Sequence, residues 1–486
     1  KFSIVNMRVL LVNPPATNTF EEHDAPNHPC MSLAYIAAYL REKKVPVDVM
    51  DCKLEKIDFE KSVQRFRKNK YDVVGFTSFT HDVMNVSILC DAFKKIDPQI
   101  VTILGGVHVT ALPYDTLINF PKLDITVVGE GEYTFYEICD AVEKKKDFSG
   151  IQGILYKDKT GEIKINSIRF REQNLDNIPL PAYDLFPKTK KYQIVTARGC
   201  PNFCSFCMSP YGRKIMRFRS LDNVMKELEW MINTYHPTEI RFNDETFSHD
   251  YERATKLLNL LIEKGLHKKT SFRLSTRANK IDYELALLMK RANVGYVEIG
   301  VETGDEDIMI KTHKGTTVDQ VSSAVRIAKK AGLTVGCGFI IGHPYETKAT
   351  AKKTMDLMVE LNPSLGAVGI MVPYPGTEVY ELAKQGKAGY KLLSGDWRDY
   401  NKQIGNALEM EGLNRKEMER LQAYGYLKLY IKNYRFFDLA KFVWKYRKAG
   451  IYFMKKQLGI KTDYNKMKEK QKERLDKFVT SSISAS

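Results

Sequence analysis

The amino-acid sequence predicts an α/β fold: an amino-terminal doubly wound parallel sheet, an incomplete (β/α)6 barrel, and a helical carboxyl-terminal region. Three observations carry that prediction. Short apolar runs, such as Met7 to Val12, have the length and composition of strands buried on both faces. Stretches of helical period separate these runs one for one, as parallel strands joined by crossover helices require. Glycines and charged residues collect immediately after the apolar runs, where open α/β sheets bind ligands.

With 486 residues the chain has room for about three domains of the usual size. Hydrophobic content of 43% and charged content of 28% are those of an ordinary globular protein. No apolar run reaches the length of a membrane-spanning helix and no signal peptide is evident, so the expected location is the cytoplasm. The six residues before Met7 read as an extension. Eight cysteines, unevenly clustered, do not make a disulfide framework and suit a reducing compartment. The formal net charge of +16 suits nucleic acid, anionic lipid or an acidic substrate, and equally a lysine-rich composition with no charged partner.

Residues 1–150 form the first predicted domain. Met7 to Val12 reads as a strand closed by Asn13-Pro14-Pro15, Ser32 to Glu42 as a helix, Val47 to Met50 as a strand, Phe59 to Asn69 as a helix, and Asp72 to Thr77 as a strand. Val83 to Lys95 is helical, Ile100 to Leu104 extended, Asp115 to Phe120 a short helix, Ile125 to Val128 extended, and Thr134 to Lys144 the last helix. The loops after these strands carry Ser78 with His81, then Gly105 and Gly106 with His108, then Gly129-Glu130-Gly131-Glu132. Glycine at such places lets a planar ligand or a phosphate approach the backbone closely. Residues 151–190 read as a linker, with a small hairpin around Asp158 to Gly161 and a proline-punctuated run before Tyr183.

Residues 191–380 form the second predicted domain. Strands are expected at Gln193 to Ala197, Glu239 to Asn243, Ser271 to Ser275, Tyr296 to Val301, Thr334 to Ile341 and Ala367 to Val372. Six such units leave the barrel open, where eight would close it. Directly after the first come Cys200, Cys204 and Cys207, at the spacing C-x3-C-x2-C. Soft thiolates this close together favour iron–sulfur or zinc ligation over packing. A four-iron cluster normally takes four thiolates, so a local set of three leaves one iron free for another ligand. A structural zinc site with a distant fourth ligand, or simple packing, are the competing explanations. The other strand ends carry Asn243-Asp244-Glu245-Thr246, Ser275-Thr276-Arg277, Gly300 to Gly304 with Glu302, Gly338 to Thr347 with Ile340 and Glu346, and Pro373 to Thr377. Cys30, Cys52, Cys90, Cys139 and Cys337 are widely spaced in mostly apolar surroundings and read as inert thiols.

The stretch Arg198 to Cys207, with Phe206 before its third cysteine, resembles the signature of the radical S-adenosylmethionine (SAM) enzymes, and the ordered strand-end motifs resemble their counterparts in that family. The resemblance implies that Cys200, Cys204 and Cys207 hold a [4Fe-4S] cluster whose open iron chelates the amino and carboxylate groups of SAM. Electron transfer then cleaves SAM to a 5′-deoxyadenosyl radical that abstracts hydrogen. Asn243 and Glu245 fall where the family contacts the SAM amino group; Glu245 and Glu302 suit the ammonium and ribose hydroxyls, Arg277 the carboxylate, and Phe206 and Ile340 the adenine.

The amino-terminal domain resembles the cobalamin-binding domain fused to many of these enzymes, through the Asn-Pro-Pro turn and Gly129 to Glu132. This implies corrin contacts from Ser78, His81, Gly105, Gly106, His108, Gly129, Glu130 and Gly131. The D-x-H-x-x-G loop that brings a histidine to cobalt in other cobalamin proteins is absent after the first strand, where the chain runs from Asn18 to Ala25. His81 and His108 are then the corrin-facing candidates, and a domain that no longer binds cobalamin is the alternative. Together the two resemblances imply a cobalamin-dependent radical SAM enzyme that methylates unactivated carbon or, more rarely, phosphorus, served by a flavodoxin or ferredoxin. Cyclase, ring-contracting or oxidative chemistry is the alternative on the same architecture; an iron–sulfur protein for nucleic-acid binding or electron transfer is the alternative from another class.

Residues 381–486 are helical and basic. Leu421 to Lys456 holds nine Lys or Arg against one acid, Asp438, among eleven aromatic residues. Such a composition suits association with a membrane surface and a small-molecule substrate of lipid or isoprenoid type. RNA is a disfavoured second partner. The plain explanation is a helical cap whose lysines face water. Residues after Thr480 are expected to be disordered.

Overall fold

The computed structural model describes residues 7–16, 26–209, 215–402, 406–458 and 473. The extension before Met7, the stretch from Asn18 to Ala25 and the tail after Thr480 lie outside the described residues. The chain divides into two compact units, residues 1–188 with 447–486, and Thr189–Tyr446.

In the first unit β1 (Val9–Asn13), β2 (Val47–Asp51), β3 (Val73–Thr77), β4 (Val101–Gly105) and β5 (Ile125–Val127) pair in parallel in the order β2-β1-β3-β4-β5. Crossovers between them include α1 (Met31–Glu42), α2 (Phe59–Arg67) and α3 (Val83–Ile96), and α4 (Glu132–Glu143) follows β5. All five residues of β1 are buried, as a central strand covered on both faces should be. The strand order reverses at β1 and β3, and a reversal of this kind opens a crevice at the carboxyl ends of the strands. Two details differ from expectation. The hairpin β6 (Ile154–Lys157) and β7 (Ile163–Ile165), in the stretch read as a linker, pairs antiparallel onto β5 and extends the sheet. Ile154, Leu155 and Tyr156 are buried there, covering an edge that would otherwise expose unpaired backbone. The loop expected after β4 contains one helical turn, Val107–Ala111, which carries His108.

The second unit is built on β8 (Lys191–Ile194), β11 (Glu239–Phe242), β12 (Ser271–Thr276), β13 (Val294–Glu302), β14 (Val335–Ile341) and β15 (Leu365–Ile370). They pair in parallel in chain order, with β8 and β15 at the two edges, so the expected six-stranded open barrel is what forms. A short antiparallel pair, β9 (Ala197–Arg198) with β10 (Arg217–Phe218), stands beside the first strand. Helices α5 (Leu221–Tyr235), α6 (Tyr251–Glu263), α7 (Tyr283–Arg291), α8 (Val318–Lys330) and α9 (Lys348–Leu361) make the crossovers. Each begins on a side-chain cap: Ser220, Asp250, Asp282, Thr317 and Thr347 accept from amides in the first turn.

Beyond the barrel lie the hairpin β16 (Tyr390–Leu392) with β17 (Leu408–Met410), then α10 (Arg415–Lys432) and α11 (Phe436–Lys445). Helix α10 closes the free edge of β15. Val368 N donates to Tyr426 Oη at 2.9 Å, Gln422 Nε2 donates to Val368 O at 2.7 Å, and Ile370 N donates to Lys402 O at 3.1 Å. Gly425 allows this approach, since a Cβ there would lie 2.3 Å from Met355 Sδ of α9. No helix among the described residues is long and apolar enough to cross a membrane.

Candidate active site

Strand β8 ends at Ile194, three residues earlier than its apolar run suggests, because a buried carboxylate redirects the chain. Asp244, just past β11, accepts from Thr196 N at 2.7 Å and Ala197 N at 3.2 Å through Oδ1, and from Thr196 Oγ1 at 2.5 Å through Oδ2. Burial raises its pKa and these donors oppose the rise. Three donors on one carboxylate fix the direction in which the backbone leaves the sheet toward Cys200.

In the cysteine loop Cys204 is buried, Cys200 half-buried and Cys207 exposed. Asn202 Nδ2 donates to Cys200 Sγ at 3.2 Å, and Arg277 Nη1 to Cys204 Sγ at 3.6 Å. Three thiols on one loop, two of them receiving N–H donors, form a donor set whose chemistry fits an iron–sulfur cluster. The thiols share one loop; among the described residues no three His, Cys, Asp or Glu side chains stand in a metal-holding arrangement.

The strand ends bring most of the other sequence candidates to this loop. Arg277, after β12, is buried, and its Nη2 donates to the Lys314 carbonyl while Nη1 reaches Cys204. Lys314 Nζ in turn lies 2.7 Å from Glu302 Oε1, with both side chains largely buried. Burial disfavours the Glu302 carboxylate, and the Lys314 ammonium outweighs that cost, holding the pKa below its ordinary value. Glu302 sits at φ 71°, where the pairing of β13 with β14 shifts register between Gly300 and Glu302. Gly300 leaves room for the pair: a Cβ there would come within 2.4 Å of Glu302 Oε1 and 2.8 Å of Lys314 Nζ.

The circuit closes through β14. His343 Nε2 lies 3.4 Å from the Glu302 carbonyl oxygen, and its ring meets Phe206 edge-on at 5.5 Å between centroids. Burial pushes the His343 pKa down to about 4, so the imidazole is neutral. The Glu346 carboxyl accepts from Gly342 N and from His343 N, the latter at 3.2 Å, and burial raises its pKa to about 8. Ile340 is half-buried on the same strand. Glu245, beyond β11, has its two carboxylate oxygens 2.6 and 2.8 Å from Ser209 Oγ, and Asn243 N donates to Ile194 O at 2.8 Å.

Ser209, Lys314 and His343 were not singled out by sequence reasoning. Lys314 was findable only by asking which cation neutralises Glu302 once buried; no period or spacing marks it. Arg277, expected as the cation for a carboxylate, also ties the cysteine loop to the Lys314 backbone.

In the first unit, candidates cluster after β3, β4 and β5. Gly106 has φ 105°, and a Cβ on it would lie 2.9 Å from the Ser78 carbonyl oxygen. Gly129 has φ 86° with open space where a side chain would project, and its amide donates to Thr110 Oγ1 at 3.1 Å. Ser78 Oγ is buried with no hydrogen-bond partner among the described residues, which suits a polar ligand edge at this place. Gly105 ends β4, while Glu130 and Gly131 lead into α4. His108 is buried, 3.2 Å from Thr80 Oγ1 through Nδ1, with its pKa lowered by burial to about 4. His81 is half-buried and stacks on Phe79. Phe79 N donates to Asp82 Oδ1 at 2.7 Å, and Asp82 forms a buried ion pair with Lys53, so this loop is fixed from beneath. Glycine edges and a spare hydroxyl fit a planar, polar-rimmed group such as a corrin.

Residues 194–358 match the family described as the Radical SAM superfamily, and residues 24–139 match the B12 binding domain. An uncharacterized methyltransferase of Pyrococcus horikoshii is 32% identical over 435 residues, covering 88% of this chain and 93% of its own. The anaerobic magnesium-protoporphyrin IX monomethyl ester cyclase of Rubrivivax gelatinosus is 26% identical, covering 81% of this chain and 72% of its own. Among solved structures, the radical S-adenosylmethionine methyltransferase TsrM of Kitasatospora setae, with cobalamin and a [4Fe-4S] cluster bound, shares the fold with a TM-score of 0.68 at 17% identity, over 87% of this chain and 88% of its own.

Proposed function

Because the chain belongs to the radical SAM superfamily, in the cobalamin-dependent branch that carries a B12-binding domain, we propose that it transfers a methyl group to an unactivated carbon or phosphorus of a small molecule. The observation that supports the radical SAM site most is the continuous circuit from Cys204 through Arg277, Lys314, Glu302 and His343 back to Phe206, while the B12-binding domain and the methyltransferase relative support methyl transfer. When bound, the cluster and SAM supply the radical that removes hydrogen from the substrate, and cobalamin supplies the methyl group.

The chain's own residues hold and orient. Cys200, Cys204 and Cys207 are the cluster ligands, and Asp244 aims their loop. Glu245, steadied by Ser209, and Glu302, kept ionised by Lys314, accept hydrogen bonds from the SAM ammonium and ribose hydroxyls, with Asn243 alongside. Arg277 fixes the loop against the barrel. Phe206 and Ile340 flank adenine, and neutral His343 backs Phe206 without adding charge. Residues 191–380 are thereby the SAM domain and residues 1–150 the cobalamin domain, where Gly105, Gly106, Gly129 and Gly131 admit the corrin and Ser78, Glu130, His81 and His108 supply its polar surroundings. A flavodoxin or ferredoxin serves as reductant. For the acceptor, a lipid or isoprenoid is favoured by the aromatic and basic carboxyl-terminal helices, with the cytoplasmic enzyme attached peripherally to a membrane.

A cyclase reading stands second, favoured by the relative from Rubrivivax gelatinosus. Anaerobic reconstitution with iron, sulfide and hydroxocobalamin, followed by incubation with SAM and reductant, separates the two. Methyl transfer yields 5′-deoxyadenosine and S-adenosylhomocysteine together; 5′-deoxyadenosine alone, with cobalamin retained, favours the cyclase. Neither product, with cobalamin washing away, overturns both readings.

A further inference from the structure

Helix α10 is apolar on two faces, and the fold accounts for one. Its inner face, with buried Met418 and Leu429 and with Gly425 against Met355, packs on the barrel. Its outer face presents Tyr424, Leu427 and Ile431, all exposed, at spacings of three and four that align them in one stripe. The apolar surface continues past the helix end. Tyr434 is 84% exposed, and on α11 Phe437 is 72% and Trp444 71% exposed, with Val443 beside them. Tyr434 holds φ 58°, a left-handed conformation disfavoured for a non-glycine residue, at the turn between the helices. A patch of this kind marks an interaction site rather than scattered surface apolarity.

Its rim is cationic. A groove of about 590 Å³ beside α11 is lined by Lys329, Arg435, Lys441 and Lys445 against a single acid, Asp438, which Arg435 already engages at 2.9 Å. Lys441 Nζ lies 4.3 Å from the centre of the Phe437 ring, so charge and aromatic surface are interleaved.

We propose that the outer face of α10 and α11 docks on an anionic lipid bilayer, with the rings at headgroup depth and the lysines of α11 and its groove against lipid phosphate. The aliphatic members of the stripe select this partner. Leu427, Ile431 and Val443 gain nothing from a nucleic-acid backbone but gain area in the acyl boundary. A second copy of the chain would set lysine against lysine. Leu365, in the groove wall, opens β15, whereas Pro373 to Thr377 follow its far end. The groove therefore lies at the end of that strand opposite to the reactive loops. This inference rests on the peripheral-attachment part of the proposed function and not on its radical chemistry.

The test is co-sedimentation of the full chain with vesicles of phosphatidylcholine alone or mixed with phosphatidylglycerol. Binding is expected to be at least about tenfold tighter to the anionic vesicles, and to fall about tenfold in Phe437→Ser/Trp444→Ser and in Lys441→Glu/Lys445→Glu. Absence of vesicle binding, or binding unchanged in the ring variant, overturns the proposal. Capture of single-stranded RNA without vesicle binding, or dimerisation abolished by the ring variant, assigns the face to another partner and overturns it equally. Production of 5′-deoxyadenosine, measured on the same samples without vesicles, should be unaltered in both variants. Its absence in the parent chain would count against the proposed function alone.

Discussion

Glu346 carries an ionisation that its surroundings resist. Its carboxyl titrates near 8 in the folded chain, against 4.5 for an unburied group, because burial outweighs the two amides it accepts from. Between those values the folded chain binds more protons than the unfolded one, so this contribution to stability is full at low pH and is lost as pH rises through 8. Glu346→Gln should match the parent in thermal stability near pH 5 and exceed it near pH 9; parallel pH profiles would refute the assignment. Lys314 and Glu302 behave oppositely, as a buried pair whose members need each other. Lys314→Met should destabilise by about 3–5 kcal/mol by leaving a buried carboxylate alone, and Lys314→Met/Glu302→Gln should recover a large part of that loss in chemical denaturation. Full additivity of the two substitutions would mean that the pair is not coupled.

Among elements, the strand ends do the positioning, and they differ in how plainly the sequence announces them. Parallel strands covered on both faces are rich in apolar residues, so β1 and β3 stand out as short apolar runs, and β13 and β14 as apolar-rich stretches that lead into Gly304 and Gly342. Hairpin β6–β7 is legible as a hairpin, but its pairing with β5 is not, because short strands around a turn look the same whether they stand in a linker or pair with a sheet edge many residues away. The early end of β8 was equally hidden: Val195 to Ala197 is apolar enough to continue, and only the tertiary contact from Asp244 stops it. Three cysteines at fixed spacing announced the candidate site because ligand chemistry is local; Ser209 and Lys314 did not, because their importance lies in partners distant in the chain. The turn after β4 makes its own demand. Gly106→Ala places a side chain in a left-handed position against the Ser78 carbonyl and should cost about 1–3 kcal/mol in denaturant, with weaker retention of hydroxocobalamin on gel filtration. Unchanged stability and retention would show that the turn relaxes freely.

At the scale of the whole molecule, two units with separate sheets and separate buried cores sit on one chain. Domains of this kind can unfold independently, and a ligand stabilises only the state it binds. Calorimetry should therefore show two transitions, with hydroxocobalamin raising one midpoint and leaving the other in place; a single cooperative transition shifted as a whole would contradict this. The same scale gives the closure of β15 a further meaning. A barrel of six strands has an edge at each end, and an unclosed edge is a template on which another chain can add a strand. Tyr426 and Gln422 occupy the backbone groups of Val368, so that template is already taken. Helix α10 thus acts as a safeguard against fibre growth: a chain cut before it keeps all six strands and all three clustered cysteines, but leaves the Val368 backbone groups of β15 open to its neighbours and should aggregate during storage.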